Sequence, residues 1–140
     1  MEKSDRVRIL SKLDEMVKYV KELQSMLPDQ EDYLHDLIRR RACEKTIEVA
    51  IESLIDVCAM IVSAQRFGLP ETEENILDML IEKKVLSSKL AEKLKDMKGF
   101  RNILIHRYGN VDDEIVFYNL SSHMNDFYEF ENAVELYLQK

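Results

Sequence analysis

Apolar residues recur at intervals of three and four along most of the chain. Val7, Leu10, Leu13, Val17, Val20, Leu23 and Leu27 form a first stripe, which predicts a helix capped by Ser4 or Asp5 and ending before Pro28. Asp29 can cap a second helix running to about Phe67 through Leu34, Leu37, Ile38, Ile47, Ile51, Leu54, Ile55, Cys58, Ile61 and Val62. Gly68-Leu69-Pro70 stops that helix, and Thr72 caps a short third one over Glu73 to Lys84. Ser87 or Ser88 opens a fourth, closed by Gly109 and Asn110. Asp112, or Asn110 with Asp113, opens a fifth that carries Ile115, Val116, Tyr118, Leu120, Met124, Phe127, Phe130, Val134, Leu136 and Leu138. The pattern predicts an all-α bundle without repeats or low-complexity segments.

Composition agrees with this reading. Three glycines and two prolines punctuate 140 residues, and 46% hydrophobic content suffices for the core of one domain over residues 1–140. With no signal-like start and no apolar run near the roughly 20 residues of a membrane span, the chain reads as cytoplasmic and reduced. Cys43 and Cys58 lie on one predicted helix, too far apart to pair. No Cys/His cluster has metal-ligand spacing, and no glycine-rich phosphate loop is present.

Charge changes the picture locally. The net charge is −7, yet residues 83–107 hold Lys83, Lys84, Lys89, Lys93, Lys95, Lys98, Arg101 and Arg107 against only Glu92 and Asp96. Such a stretch would steer a phosphate-bearing ligand, or simply solvate a helix surface.

The fourth helix also breaks its own pattern. Leu90, Leu94, Met97 and Leu104 define its apolar stripe, and Arg101 and Tyr108 lie along that stripe, about 20° apart around the axis. Asn102 and His106 share a neighbouring line about 40° wide. An unpaired buried guanidinium costs several kcal/mol or more, so Arg101 must face a carboxylate, a wet cleft or a second subunit. Glu44, first of an acidic line continued by Glu48, Glu52 and Asp56, is the first candidate partner. The alternative is that these acids are solvated and pair with lysines such as Lys45. Gly99, inside the helix, points to a bend or a close backbone approach just before Arg101.

Histidine and arginine together suit metal-independent RNA cleavage. A base takes the 2′-hydroxyl proton, an acid protonates the leaving 5′-oxygen, and a cation stabilises the phosphorane. One chain offers a single such pair, and a two-fold dimer joining two copies of the fourth helix would supply it twice. The competing reading is a surface histidine beside a structural arginine. His35 and His123 have no comparable setting.

Gly99-Phe-Arg-Asn-Ile-Leu-Ile-His-Arg-Tyr108 resembles the R-x4-H-x-Y signature of the HepT-like toxins of the HEPN superfamily. Arg41-Ala42 with Glu44, Gly68-Leu69-Pro70, Val85-Leu86-Ser87 and Val111-Asp112-Asp113 extend the resemblance over about residues 5–138. It implies a homodimeric HEPN-type up-and-down bundle of four to five helices and a metal-independent endoribonuclease toxin. Arg101 and His106 would be its catalytic residues, with Asn102 and Glu44 supporting. Tyr108 would be the tyrosine to which a minimal nucleotidyltransferase (MNT) antitoxin adds AMP. The implied partners are RNA, with tRNA a suitable structured substrate for so acidic a chain, and the antitoxin, with no cofactor, DNA or membrane. A non-catalytic helical module that binds a nucleotidyltransferase or nucleotide is the alternative.

Overall fold

The computed structural model describes residues 1–106 and 110–140, and among these the architecture is entirely helical. Seven helices follow in order: α1 (Lys3–Met26), α2 (Gln30–His35), α3 (Leu37–Ala64), α4 (Glu73–Glu82), α5 (Ser88–His106), α6 (Asp113–Ser122) and α7 (Met124–Leu138). No described helix is long and apolar enough to cross a membrane.

Two of the expected helices are each divided in two. Asp36 is extended, and its side chain accepts from the backbone N–H of Arg39, so it caps α3 and ends α2. Short polar side chains compete with the helical ladder in this way. At the second division Ser121 and Ser122 donate back to the carbonyls of Phe117 and Tyr118, and His123 then separates α6 from α7. His123 is held there between Asp126 (3.0 Å) and Asn119 (3.1 Å), which is a structural setting.

Caps fall largely where the residue types call for them: Asp29, Thr72, Ser87 and Asp112 each accept from a backbone N–H of the helix they open. The first helix departs from expectation, since α1 begins at Lys3 after Glu2, with no side-chain cap from Ser4 or Asp5.

α1 and α3 form the long antiparallel spine. Ile9, Leu13, Met16, Val20 and Leu23 of α1 are fully enclosed with Ile47, Ile51, Leu54, Cys58 and Ile61 of α3. Each such aliphatic side chain contributes about 1.5–3 kcal/mol of burial free energy. α7 closes the core with Phe127, Phe130 and Val134, and α5 packs across α3 and α7 through Leu94, Met97 and Leu104. Gly68 has φ +139°, and a Cβ there would meet Met79 Cε at 3.2 Å, so the turn into α4 needs glycine. That turn lays Ile76, Leu77 and Leu80 of α4 against α3 and beside α5.

Candidate functional site

α4 and α5 run antiparallel, joined by a short turn in which Val85 and Leu86 are buried. Thr72 accepts from Asn75 N at 3.0 Å and so sets Glu73 and Glu74 in the first turn of α4, where the helix dipole also favours carboxylates. On α5, Lys95, Lys98 and Arg101 follow one another at intervals of three along the facing side. The result is a ladder: Lys95 meets Asp78 at 2.8 Å, Lys98 meets Glu74 at 3.3 Å, and Arg101 meets Glu73.

Arg101 is the most enclosed member of that ladder, with a side chain 9% exposed. Its Nη2 donates to Glu73 Oε1 at 2.5 Å and its Nη1 to Glu73 Oε2 at 3.3 Å, a fork-to-fork pair. Nε and Nη2 also donate to Asn102 Oδ1 at 3.3 and 3.0 Å. A carboxylate, one of the settings the pattern break calls for, is therefore present, but it is Glu73 and not Glu44. Glu44 accepts both its contacts from Arg41 Nη1 at 3.2 Å. Three residues away on its own helix, Arg41 reaches it without spanning to α5. Burial pushes the Glu44 carboxyl above its ordinary value, with Arg41 opposing. Further along the acidic line, Glu48 pairs with Lys45.

His106 is the last residue of α5 and is exposed. Five residues from Arg101, it stands about 7.5 Å along the axis and about 140° around it. One chain thus does not bring the two side chains together. Tyr108 lies outside the described residues, as do Arg107 and Gly109.

Ile103 and Ile105, in the same last turns of α5 as His106, are exposed, as are Ile115 and Tyr118 on α6. Between these helices runs a groove of about 600 Å³ lined by Gly99, Phe100, Ile103, Val111, Ile115 and Val116 among others. A Cβ at Gly99 would meet nothing within 4 Å, and the helix is continuous through it. The helix is not interrupted at Gly99, and among the described residues none approaches it closely.

Of the basic stretch 83–107, Lys93, Lys95, Lys98 and Arg101 are paired with acids of α4 or α7. Half of that basic stretch is thus balanced by acids of α4 and α7. Sequence reasoning missed Glu73, although an acidic first turn one short connection before a basic helix was a legible signal. It also missed Arg40, which donates to the carbonyls of Tyr33 (3.3 Å) and Leu34 (2.7 Å) and pairs through Nε with Asp113 at 3.4 Å. Arg40 thereby ties the first residue of α6, just beyond the motif, to α2 and α3. Cys43 and Cys58 are buried free thiols, and burial raises the Cys43 thiol to about 11, so neither is poised as a nucleophile.

Comparison with known proteins identifies the family and the fold. The mRNA nuclease HepT of Shewanella oneidensis is 24% identical over 127 residues, covering 91% of this chain and 96% of that protein. The tRNA nuclease HepT of Aphanizomenon flos-aquae is 24% identical over 108 residues, covering 77% of this chain and 74% of that one. Among solved structures, the tri-AMPylated Shewanella oneidensis HEPN toxin in complex with MNT antitoxin superposes with a TM-score of 0.86 at 23% identity. The match spans 97% of this chain and 99% of that chain, and it shows the shared fold. The family model described as Ribonuclease HepT-like matches residues 15–134, and the chain belongs to this HepT-like ribonuclease family.

Proposed function

We propose that this chain is the toxin of a HepT/MNT toxin–antitoxin pair and cleaves RNA without a metal, at a site shared by two copies. What supports the shared site is that Arg101 and His106 lie about 140° apart around α5, with Arg101 buried, His106 exposed, and an apolar groove open between α5 and α6. A second copy seated along α5 and α6 would cover Ile103 and Ile115 and approach the bare backbone at Gly99. It would set two His106 rings and two Arg101 guanidinium groups about one two-fold axis.

In such a cleft one His106 takes the proton of the 2′-hydroxyl, whose oxygen attacks the adjacent phosphorus. The other His106 gives a proton to the departing 5′-oxygen. The phosphorus–5′-oxygen bond breaks, leaving a 2′,3′-cyclic phosphate and a 5′-hydroxyl. Arg101, oriented by Asn102, stabilises the equatorial oxygens as charge builds on them. Glu44, paired with Arg41, takes no direct part. Tyr108, two residues beyond His106, is the site at which the nucleotidyltransferase antitoxin adds AMP. The added phosphodiester brings negative charge and bulk to the place where an RNA phosphate would sit.

The test is incubation of total RNA with purified protein in EDTA, His106→Ala alongside, after intact mass has shown Tyr108 to be free of AMP. Cleavage by wild type alone is the expected result. Equal cleavage by the variant would overturn the role of His106, and no cleavage by either would favour a non-catalytic module that binds the nucleotidyltransferase.

A further inference from the structure

Resting on the ribonuclease reading above, we infer that Glu73 is a built-in competitor for the RNA phosphate, occupying Arg101 in the free protein and yielding it only when substrate arrives. A guanidinium has five N–H donors. In Arg101, Nε–H and one Nη2–H point to Asn102 Oδ1, while the other Nη2–H and one Nη1–H point to Glu73. A single Nη1–H is left over, whereas fork-like recognition of a phosphate needs two parallel donors. Glu73 and a phosphate therefore cannot both hold the fork.

Which side gives way follows from exposure. The Arg101 side chain is 9% exposed and tied to Asn102 on its own helix, so it is held in place. Glu73 is 39% exposed, and its carboxylate can rotate into water, where its charge is well solvated. The backbone at Glu73 stays fixed, because the Thr72 cap and the buried Ile76, Leu77 and Leu80 hold α4 without help from the Glu73 side chain. The exchange is then a side-chain event, with Arg101 already aimed. The neighbouring rungs, Glu74 to Lys98 and Asp78 to Lys95, extend the same arrangement along α5. Glu73 sets how much negative charge a ligand must bring before Arg101 is released, which favours a polyanion over a single weak anion.

The test measures binding of a fluorescein-labelled single-stranded RNA oligonucleotide of mixed sequence, by anisotropy, to full-length protein carrying His106→Ala so that the RNA survives. Glu73→Gln in that background is expected to bind about fivefold tighter at low salt, an advantage that shrinks as salt rises. In protein with His106 intact, Glu73→Gln lowers KM by a similar factor while kcat changes little. Glu73→Asp retains the charge and binds as wild type. Glu73→Ala is made in parallel, so that whichever neutral variant folds, by its circular dichroism melt, decides the outcome. Equal or weaker binding by the neutral variant overturns the inference, as does equal tightening by Glu73→Asp, because a structural role for Glu73 does not make RNA bind better. If wild type cleaves and only these arms fail, the inference alone falls. If wild type does not cleave and His106→Ala does not bind RNA, the ribonuclease reading falls and takes the inference with it.

Discussion

Replacing each member of the Arg101–Glu73 pair should have unequal effects on stability, with the more exposed partner the more costly one to neutralise. Glu73→Gln leaves a guanidinium whose side chain is 9% exposed with Asn102 as its main acceptor. Stranding a largely buried charge costs several kcal/mol in a closed interior. The retained amide oxygen, which still accepts one hydrogen bond, and the nearby solvent reduce that to about 1–2 kcal/mol. Arg101→Met keeps the buried aliphatic stem and leaves Glu73, already 39% exposed, to water. Its stability should stay within about 0.5 kcal/mol of wild type. The double variant should recover most of the Glu73→Gln loss, a coupling of about 1 kcal/mol. Urea unfolding at one fixed protein concentration reads this, since 1–2 kcal/mol moves the midpoint by roughly 0.5–1 M at ordinary slopes for a small protein. RNA cleavage should follow the opposite order, with Arg101→Met inactive and Glu73→Gln active. A larger loss from Arg101→Met than from Glu73→Gln, or strict additivity in the double variant, would refute the assignment of Glu73 as the partner that balances Arg101.

Tyr108→Phe should keep RNA cleavage but take up no AMP when incubated with the antitoxin and ATP, and a mass increase by AMP in that variant would remove Tyr108 from the scheme. Gly99→Leu, placed on the floor of the α5–α6 groove, should lower dimer content in sedimentation and with it cleavage, while Gly99→Ala should retain both and raise helix stability by up to about 1 kcal/mol. Glu44→Gln should leave cleavage intact. Because burial raises the Glu44 carboxyl above 4.5, the folded state holds its proton more tightly than the unfolded state does. Its contribution is full below pH 4.5 and is lost as pH rises through the raised value, so Glu44→Gln should gain stability relative to wild type as pH rises above 4.5. A relative loss over that window in paired urea titrations would contradict the assignment of desolvation as the dominant cause.

The helical fold was legible because burial follows a period of three and four residues, and caps such as Asp29, Thr72 and Ser87 are local chemistry. What periodicity does not register is a break that leaves the stripe in phase. Asp36 sits between Leu34 and Leu37, both compatible with a continuous helix, and its extended backbone and side-chain bond to Arg39 N, with Arg40 on the last carbonyls of α2, separate α2 from α3. His123, held by Asn119 and Asp126, likewise divides α6 from α7 without shifting the apolar stripe, though it makes no side-chain cap. Apolar positions show which faces are buried, whereas capping depends on a competition between side chain and backbone that the spacing does not report.

The site was legible in part, and its errors share one cause. Arg101 stood out because it violated an apolar stripe, and a carboxylate was one of the three settings that violation called for. Choosing Glu44 rested on its place in the acidic line of the second predicted helix, an argument about direction around one axis with no information on which helix lies nearest Arg101. Chain connectivity carries that information: α4 precedes α5 by a short turn, and consecutive antiparallel helices pack together more often than distant ones. Applied to charge, the same reasoning pairs Glu73, Glu74 and Asp78 with Arg101, Lys98 and Lys95 in reverse order, as the structure has them. The basic stretch then changes meaning. Its charges balance an acidic helix edge in the free protein, and the cation most deeply set among them is the one the ribonuclease reaction would draw on.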